Sequence, residues 1–228
     1  MTASYSNVTG TATFTATYQN VNDTCTVNGI SYLFYDACDS SAGLSNYGSS
    51  HWLKVNTASI TLSYDSTKNA YKMLSSGTDG FADIPIPSLD GKNNYYIEAE
   101  FYTTDTTTGG QPGLAIYSAA DTTGNGIMFR DIAQINRCGV LKFLNGSENG
   151  ESGNSQQSSL PVANNWIKVR LEIQGTSVTG KWLTIEDDLV YSYSYTIPSY
   201  TNPRVGLATL PKYVAYPYYV RNIKAASL

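Results

Sequence analysis

The chain has 228 residues, of which only 14% are charged and 12% are aromatic, with 19 tyrosines and a net charge of -4. No basic stripe is present, so nucleic acid is not an expected partner. No apolar run is long enough to span a bilayer, so membrane insertion is not expected.

Ser, Thr, Asn and Gly take the places usually held by Lys and Glu, a composition that disfavours helix and favours strands joined by turns. Residues 1–28 come first. Within TATFTATY (11–18), Phe14, Ala16 and Tyr18 alternate as in a strand. Thr24–Val27 reads as a second short strand. This segment is expected to be the tail of a preceding immunoglobulin-like repeat or an N-terminal arm added to the main sheet. Met1–Gly10 is polar and does not read as a signal peptide, so the chain is expected either to derive from a larger exported protein, the favoured reading, or to be exposed without a secretion signal, as viral fibre proteins are.

The main domain is expected over 29–228. SYLFY (31–35) is a strand that runs into an acidic loop holding Asp36 and Asp39. Strands follow at Ser59–Tyr64, Ala70–Leu74 and Phe81–Ile84, the last ended by Pro85 and Pro87. YYIEAEFY (95–102) sets Ile97, Ala99 and Phe101 against Glu98, Glu100 and Tyr102. GLAIYS (113–118), GIMFRD (126–131) and GVLKFL (139–144) come next, then a polar loop over 145–159. WIKVRLEI (166–173) turns Ile167, Val169, Leu171 and Ile173 one way and Lys168, Arg170 and Glu172 the other. A hairpin through Gln174-Gly175-Thr176 leads back through 177–185. Leu189–Ile197, Val205–Leu210 and Tyr218–Ala225 close the chain. Roughly twelve to fourteen short strands without a helix predict an all-β, two-sheet antiparallel sandwich.

Cys25, Cys38 and Cys138 fit no zinc or redox spacing. One disulfide with a leftover thiol and three buried thiols both remain open. Asn7, Asn22 and Asn145 begin glycosylation sequons.

The segments YYIEAEFY, GLAIYS, GIMFRD, GVLKFL, NNWIKVRLEIQGTSVTGKW (164–182), VGLATL (205–210) and YYVRNIKA (218–225) occur in an order that resembles the concanavalin A-like and laminin G-like jelly-roll superfamily. That resemblance implies a jelly roll. The superfamily holds lectins, sugar-binding modules, adhesin repeats, glycosidases and lyases, so the fold does not choose among them. The low charge and the Thr/Ser/Asn richness also resemble microbial, particularly archaeal, cell-surface adhesins and the tail fibres of viruses that infect such cells.

Several constellations bear on chemistry. Glu98 and Glu100 lie two apart on one strand face. The laminarinase-type signature of the superfamily, Glu-x-Asp-x-x-Glu, lacks its middle Asp and its third acid here. Cross-strand pairing of these acids with Lys168 or Arg170 accounts for them without catalysis. Glu98, Glu100, Tyr102, Tyr117, Arg130 and Arg170 are expected to line one polar ligand groove. Tyr191, Tyr193 and Tyr195 alternate on one strand, Tyr213, Tyr216, Tyr218 and Tyr219 follow near the end, and an exposed tyrosine patch suits stacking on sugar rings. His51 is the only histidine and has no triad signature around it. Asp36 and Asp39 supply hard oxygens for a structural calcium. By the resemblance Asn222 lies near such a site, and Asp121 and Asn125 form a weaker oxygen cluster. The reading is a non-catalytic carbohydrate-binding or adhesin module of an extracellular, cell-surface protein, with a glycan or a host or cell-surface protein as partner. The alternatives are a glycoside hydrolase or lyase acting on polysaccharide, and a structural spacer or receptor-binding domain of a viral tail fibre.

Overall fold

Alternation with period two runs through most of the chain, and the computed structural model follows it. Described are residues 11–18, 21–28, 31–49, 51–52, 59–76, 82–104, 111–118, 125–132, 137–144, 147–148, 156–157, 163–197, 200, 202–210 and 217–228. The strands in chain order begin with β1 (Thr11–Tyr18), β2 (Val21–Asn28), β3 (Tyr32–Asp36), β4 (His51–Trp52), β5 (Ser59–Asp65), β6 (Ala70–Ser76) and β7 (Ala82–Pro85). The middle of the chain gives β8 (Tyr95–Thr103), β9 (Gln111–Ser118), β10 (Gly126–Ile132), β11 (Arg137–Leu144), β12 (Ser147–Glu148) and β13 (Gln156–Gln157). The last are β14 (Trp166–Gln174), β15 (Ser177–Leu183), β16 (Leu189–Thr196), β17 (Pro203–Leu210) and β18 (Pro217–Ser227). Two short 3-10 turns, Ser41–Asn46 and Pro87–Leu89, are the helical elements among the described residues.

The strands form two large antiparallel sheets. Sheet I runs β12-β11-β10-β9-β17-β7-β4, with β13 also on β11. Sheet II runs β16-β15-β14-β8-β18-β6-β5, with β3 also on β18. The first strand of the domain therefore pairs with the last, Ile223 opposite Asp36. β1 and β2 pair with each other over their full length and form a sheet of their own, joined to neither large sheet. The architecture is the two-sheet jelly roll that the alternation and the segment order predict. The polar 145–159 stretch, expected as loop, contributes the two-residue strands β12 and β13.

The core lies between the sheets. Sheet II supplies Ile97, Phe101, Val169, Leu171, Trp182 and Val220, and sheet I supplies Leu114, Ile116, Phe129, Val140, Val205 and Leu207. The Phe129 and Trp182 rings meet across the layers with centroids 6.1 Å apart. Gly180 makes room for that contact, since a Cβ there would strike the Phe129 ring.

Candidate ligand-binding face

Alternation on β8 sends Tyr95, Ile97, Ala99 and Phe101 into the core and Tyr96, Glu98, Glu100 and Tyr102 to the outer face of sheet II. The neighbouring strands complete that face in transverse rows. Tyr219, Tyr102 and Trp166 form an aromatic row across β18, β8 and β14, with centroids 6.2 and 5.3 Å apart. Arg221, Glu100 and Lys168 form the next row, and Lys224, Glu98, Arg170 and Lys181 the one after. Cations thus flank each central carboxylate, as favourable cross-strand pairing requires.

The contacts are specific. Glu98 is 1% exposed and takes Arg170 on one oxygen. Lys224 lies 2.9 Å and Lys168 3.9 Å from its other oxygen. Glu100 takes Arg221 Nε at 2.7 Å and the Asn222 amide at 3.0 Å. Lys168 also holds Asp187 at 2.6 Å, and this hydrogen bond draws the Asp187 pKa down, against a smaller penalty from burial. Burial pulls the Lys224 pKa down, but the hydrogen bond and charge of Glu98 outweigh it and the net shift is upward. Cations also lie on the rings, Arg221 4.0 Å from the Trp166 centroid, Lys68 4.2 Å from that of Tyr102 and Arg170 5.0 Å from that of Tyr96. Such contacts fix both partners. Tyr96, Tyr102, Trp166, Arg170, Tyr219, Arg221 and Lys224 remain half-buried and in reach of solvent.

Tyr117 and Arg130 are elsewhere. They sit on adjacent strands, as expected, but on the outer face of sheet I, with the core between them and the Glu98 face. The six residues expected to line one groove are therefore split between two opposite faces. The cause is topological, because β9 and β10 pair with β17 and β11 and never with β8. On the sheet I face the Tyr117 hydroxyl donates to Asp83, and Arg130 donates to Gln111. All four side chains are buried, and Tyr117 packs with Ala115, Met128, Leu141 and Ala208. Burial, then the Asp83 charge, raises the Tyr117 pKa, so the phenol stays a donor. At the rim Arg204 Nε reaches both Asp90 oxygens, at 2.9 and 3.0 Å. Asp83 is the one carboxylate among the described side chains of the strands on this face.

The expected calcium residues do not fit that ion. The Asp36 carboxylate already accepts from the Cys38 N–H at 2.8 Å, the Tyr47 hydroxyl at 3.1 Å and the Tyr71 hydroxyl at 3.0 Å. Burial, with the Asp36 charge adding to it, raises the pKa of both phenols, which keeps them protonated donors. Asp39 is exposed in the loop that follows β3, and the Asn222 amide turns to Glu100 instead. Among the described residues no three His, Cys, Asp or Glu side chains gather as a metal cluster. Asp121, Tyr213 and Tyr216 lie outside the described residues, as do the side chains of His51, Cys25, Asn7, Asn22 and Asn145. Cys38 is a free, buried thiol, and Cys138 is buried as well. Tyr191, Tyr193 and Tyr195 pack toward the core rather than forming an exposed patch, with the Tyr191 ring centroid 5.3 Å from that of Trp182.

Sequence reasoning missed Trp166, Arg221, Lys224, Lys68 and Asp187 as members of the outer face. Trp166 was signalled, because it shares parity with Lys168 and Arg170. Lys224 was not, for a bulge puts it in phase with Arg221, three residues earlier.

The fold is a concanavalin A-like jelly roll. No family model and no curated protein matches the sequence. Solved structures do match in fold. The carbohydrate-binding module CBM66 of Bacillus subtilis aligns with a TM-score of 0.51 and 19% identity, over 80% of this chain and 98% of that one. The β-glucanase of Bacillus licheniformis aligns at 0.57 and 14%, over 86% and 97%. An endo-β-galactosidase of Clostridium perfringens aligns at 0.59 and 8%, over 84% and 61%. At these identities the likeness concerns the fold.

Proposed function

We propose that the chain is a non-catalytic carbohydrate-binding module, displayed on an exported surface protein of adhesin type. The observation that carries this is the outer face of sheet II. An aromatic row of half-buried rings stands beside two rows of Arg and Lys donors, all held in place by their own contacts. A sugar has apolar C–H faces that stack on rings and hydroxyls that accept from fixed donors. Along β8, from Tyr96 to Tyr102, the face runs about 20 Å, enough for several sugar residues.

The same contacts speak against hydrolysis. A glycosidase needs two carboxyl groups facing the scissile bond, one able to give up a proton to the leaving group. Glu98 lies beneath Arg170, Lys168 and Lys224, and Glu100 is held by Arg221 and Asn222. The test is a glycan array together with a polysaccharide turnover assay. Saturable binding without product release is the expected result. Product release abolished by Glu100→Gln would establish the hydrolase instead, and a blank array would support a structural spacer.

A further inference from the structure

β16 is the outermost strand of sheet II, and its composition is unusual for an edge. Edge strands are ordinarily protected by charges, prolines, bulges or brevity. β4 and β12, at the ends of sheet I, are two residues long, and β5, at the other end of sheet II, finishes in Asp65. β16 has eight residues, LVYSYSYT, with no charge and no proline, and its one irregularity falls between Leu189 and Tyr191, leaving Tyr191–Thr196 in regular register. Leu189 at its start is 62% exposed.

Its backbone phase is defined. Ile197 N–H donates to Thr176 at 2.8 Å, which makes 197/176 a hydrogen-bonded pair. Such pairs recur every second residue along an antiparallel ladder. Tyr195, Tyr193 and Tyr191 therefore bond inward to Val178, Gly180 and Trp182, while Ser192, Ser194 and Thr196 turn their N–H and C=O groups outward. The Ser194 hydroxyl is tied at 2.8 Å to Thr179 on β15, which holds this register.

We propose that β16 pairs with β16 of a second copy of this chain, antiparallel about a two-fold axis at Tyr193, to make one continuous sheet. The occupant follows from the sequence. Tyr191-Ser192-Tyr193-Ser194-Tyr195 reads the same in both directions, so an isologous contact satisfies both copies at once. Ser192 of each copy meets Ser194 of the other as a hydrogen-bonded pair. Tyr193 meets Tyr193, and Tyr191 meets Tyr195, on the core side of the joined sheet. Aromatic cross-strand pairs of this kind are favourable. No like charges meet anywhere along β16.

Sedimentation of the full chain across a concentration series tests the pairing. The unmodified chain is expected to dimerise. S192K/S194K sets Lys opposite Lys and should weaken association at least tenfold. S192K/S194E sets Lys opposite Glu and should restore it, which a role of the serines in monomer folding would not produce. Hydrogen exchange on the unmodified chain reads the same contact without a variant, with the Ser192 and Ser194 amides slowing as concentration rises. A monomer at every concentration, equal association of the two variants, or exchange independent of concentration would each overturn the pairing.

Discussion

Asp36 shows how one buried carboxylate can organise a loop. It closes the turn to Cys38, which sits at φ 61, and gathers the Tyr47 and Tyr71 hydroxyls. Gly43 is required beside it, because a Cβ there would strike both the Tyr71 hydroxyl and the Asp36 carboxylate. Asp36→Ala strands these buried donors and should cost at least about 2 kcal/mol in denaturant unfolding. Gly43→Ala should cost roughly 1–3 kcal/mol by overpacking. Chelator should leave the melting temperature of the unmodified chain unchanged, since phenols and a backbone N–H occupy Asp36. The sequence displayed the acidic loop but not its partners. Tyr71 lies 35 residues away, and no local pattern distinguishes a carboxylate that collects hydroxyls from one that collects a cation.

At the scale of the element, β18 decides what the candidate face contains. Tyr218 and Val220 point into the core, and then Ile223 and Ala225 do, so the alternation changes phase between them. Asn222, at φ 51, sits in that irregularity, and its amide bonds Glu100. The bulge lets Arg221 and Lys224 oppose Glu100 and Glu98 in turn. Asn222→Ala puts a less tolerant residue at positive φ and removes a bond to a buried carboxylate. It should cost about 1–2 kcal/mol, and Asn222→Gly less than that, by thermal or urea unfolding. Regular strands were legible because parity alone sorts their faces, as in β8 and β14. A bulge breaks parity, so the β18 cations of the face were hidden, while Lys168 and Arg170 on regular β14 were legible. The β16 tyrosines show the opposite error, because alternation groups them correctly without saying which side is the core.

The whole molecule is a sandwich with two unlike outer faces. Sheet I presents a buried polar cluster around Asp83 and Tyr117, and sheet II a half-open aromatic and ionic face. Which strands share a sheet was the part that segment order did not carry, and this misplaced Tyr117 and Arg130. Burial also ties stability to pH. Tyr47, Tyr71, Tyr95 and Tyr117 all have pKa values raised from 10.0, chiefly by burial. A phenol held protonated in the fold but free to ionise when unfolded contributes stability that is full below the unfolded pKa and falls as pH rises above it. Unfolding free energy should therefore decline above about pH 10, and in a spectrophotometric titration these phenols should ionise only as the fold is lost.

Glycan recognition by the sheet II face is tested most directly by calorimetric titration of an array-selected oligosaccharide. The unmodified chain would be compared with Trp166→Ala, Tyr102→Ala and, on the opposite sheet, Arg130→Lys. Loss of the aromatic row should weaken binding about tenfold or more, equivalent to roughly 1.4 kcal/mol or more, while Arg130→Lys leaves it unchanged. Binding that survives both aromatic substitutions but falls with Arg130→Lys would place recognition on sheet I and contradict the account.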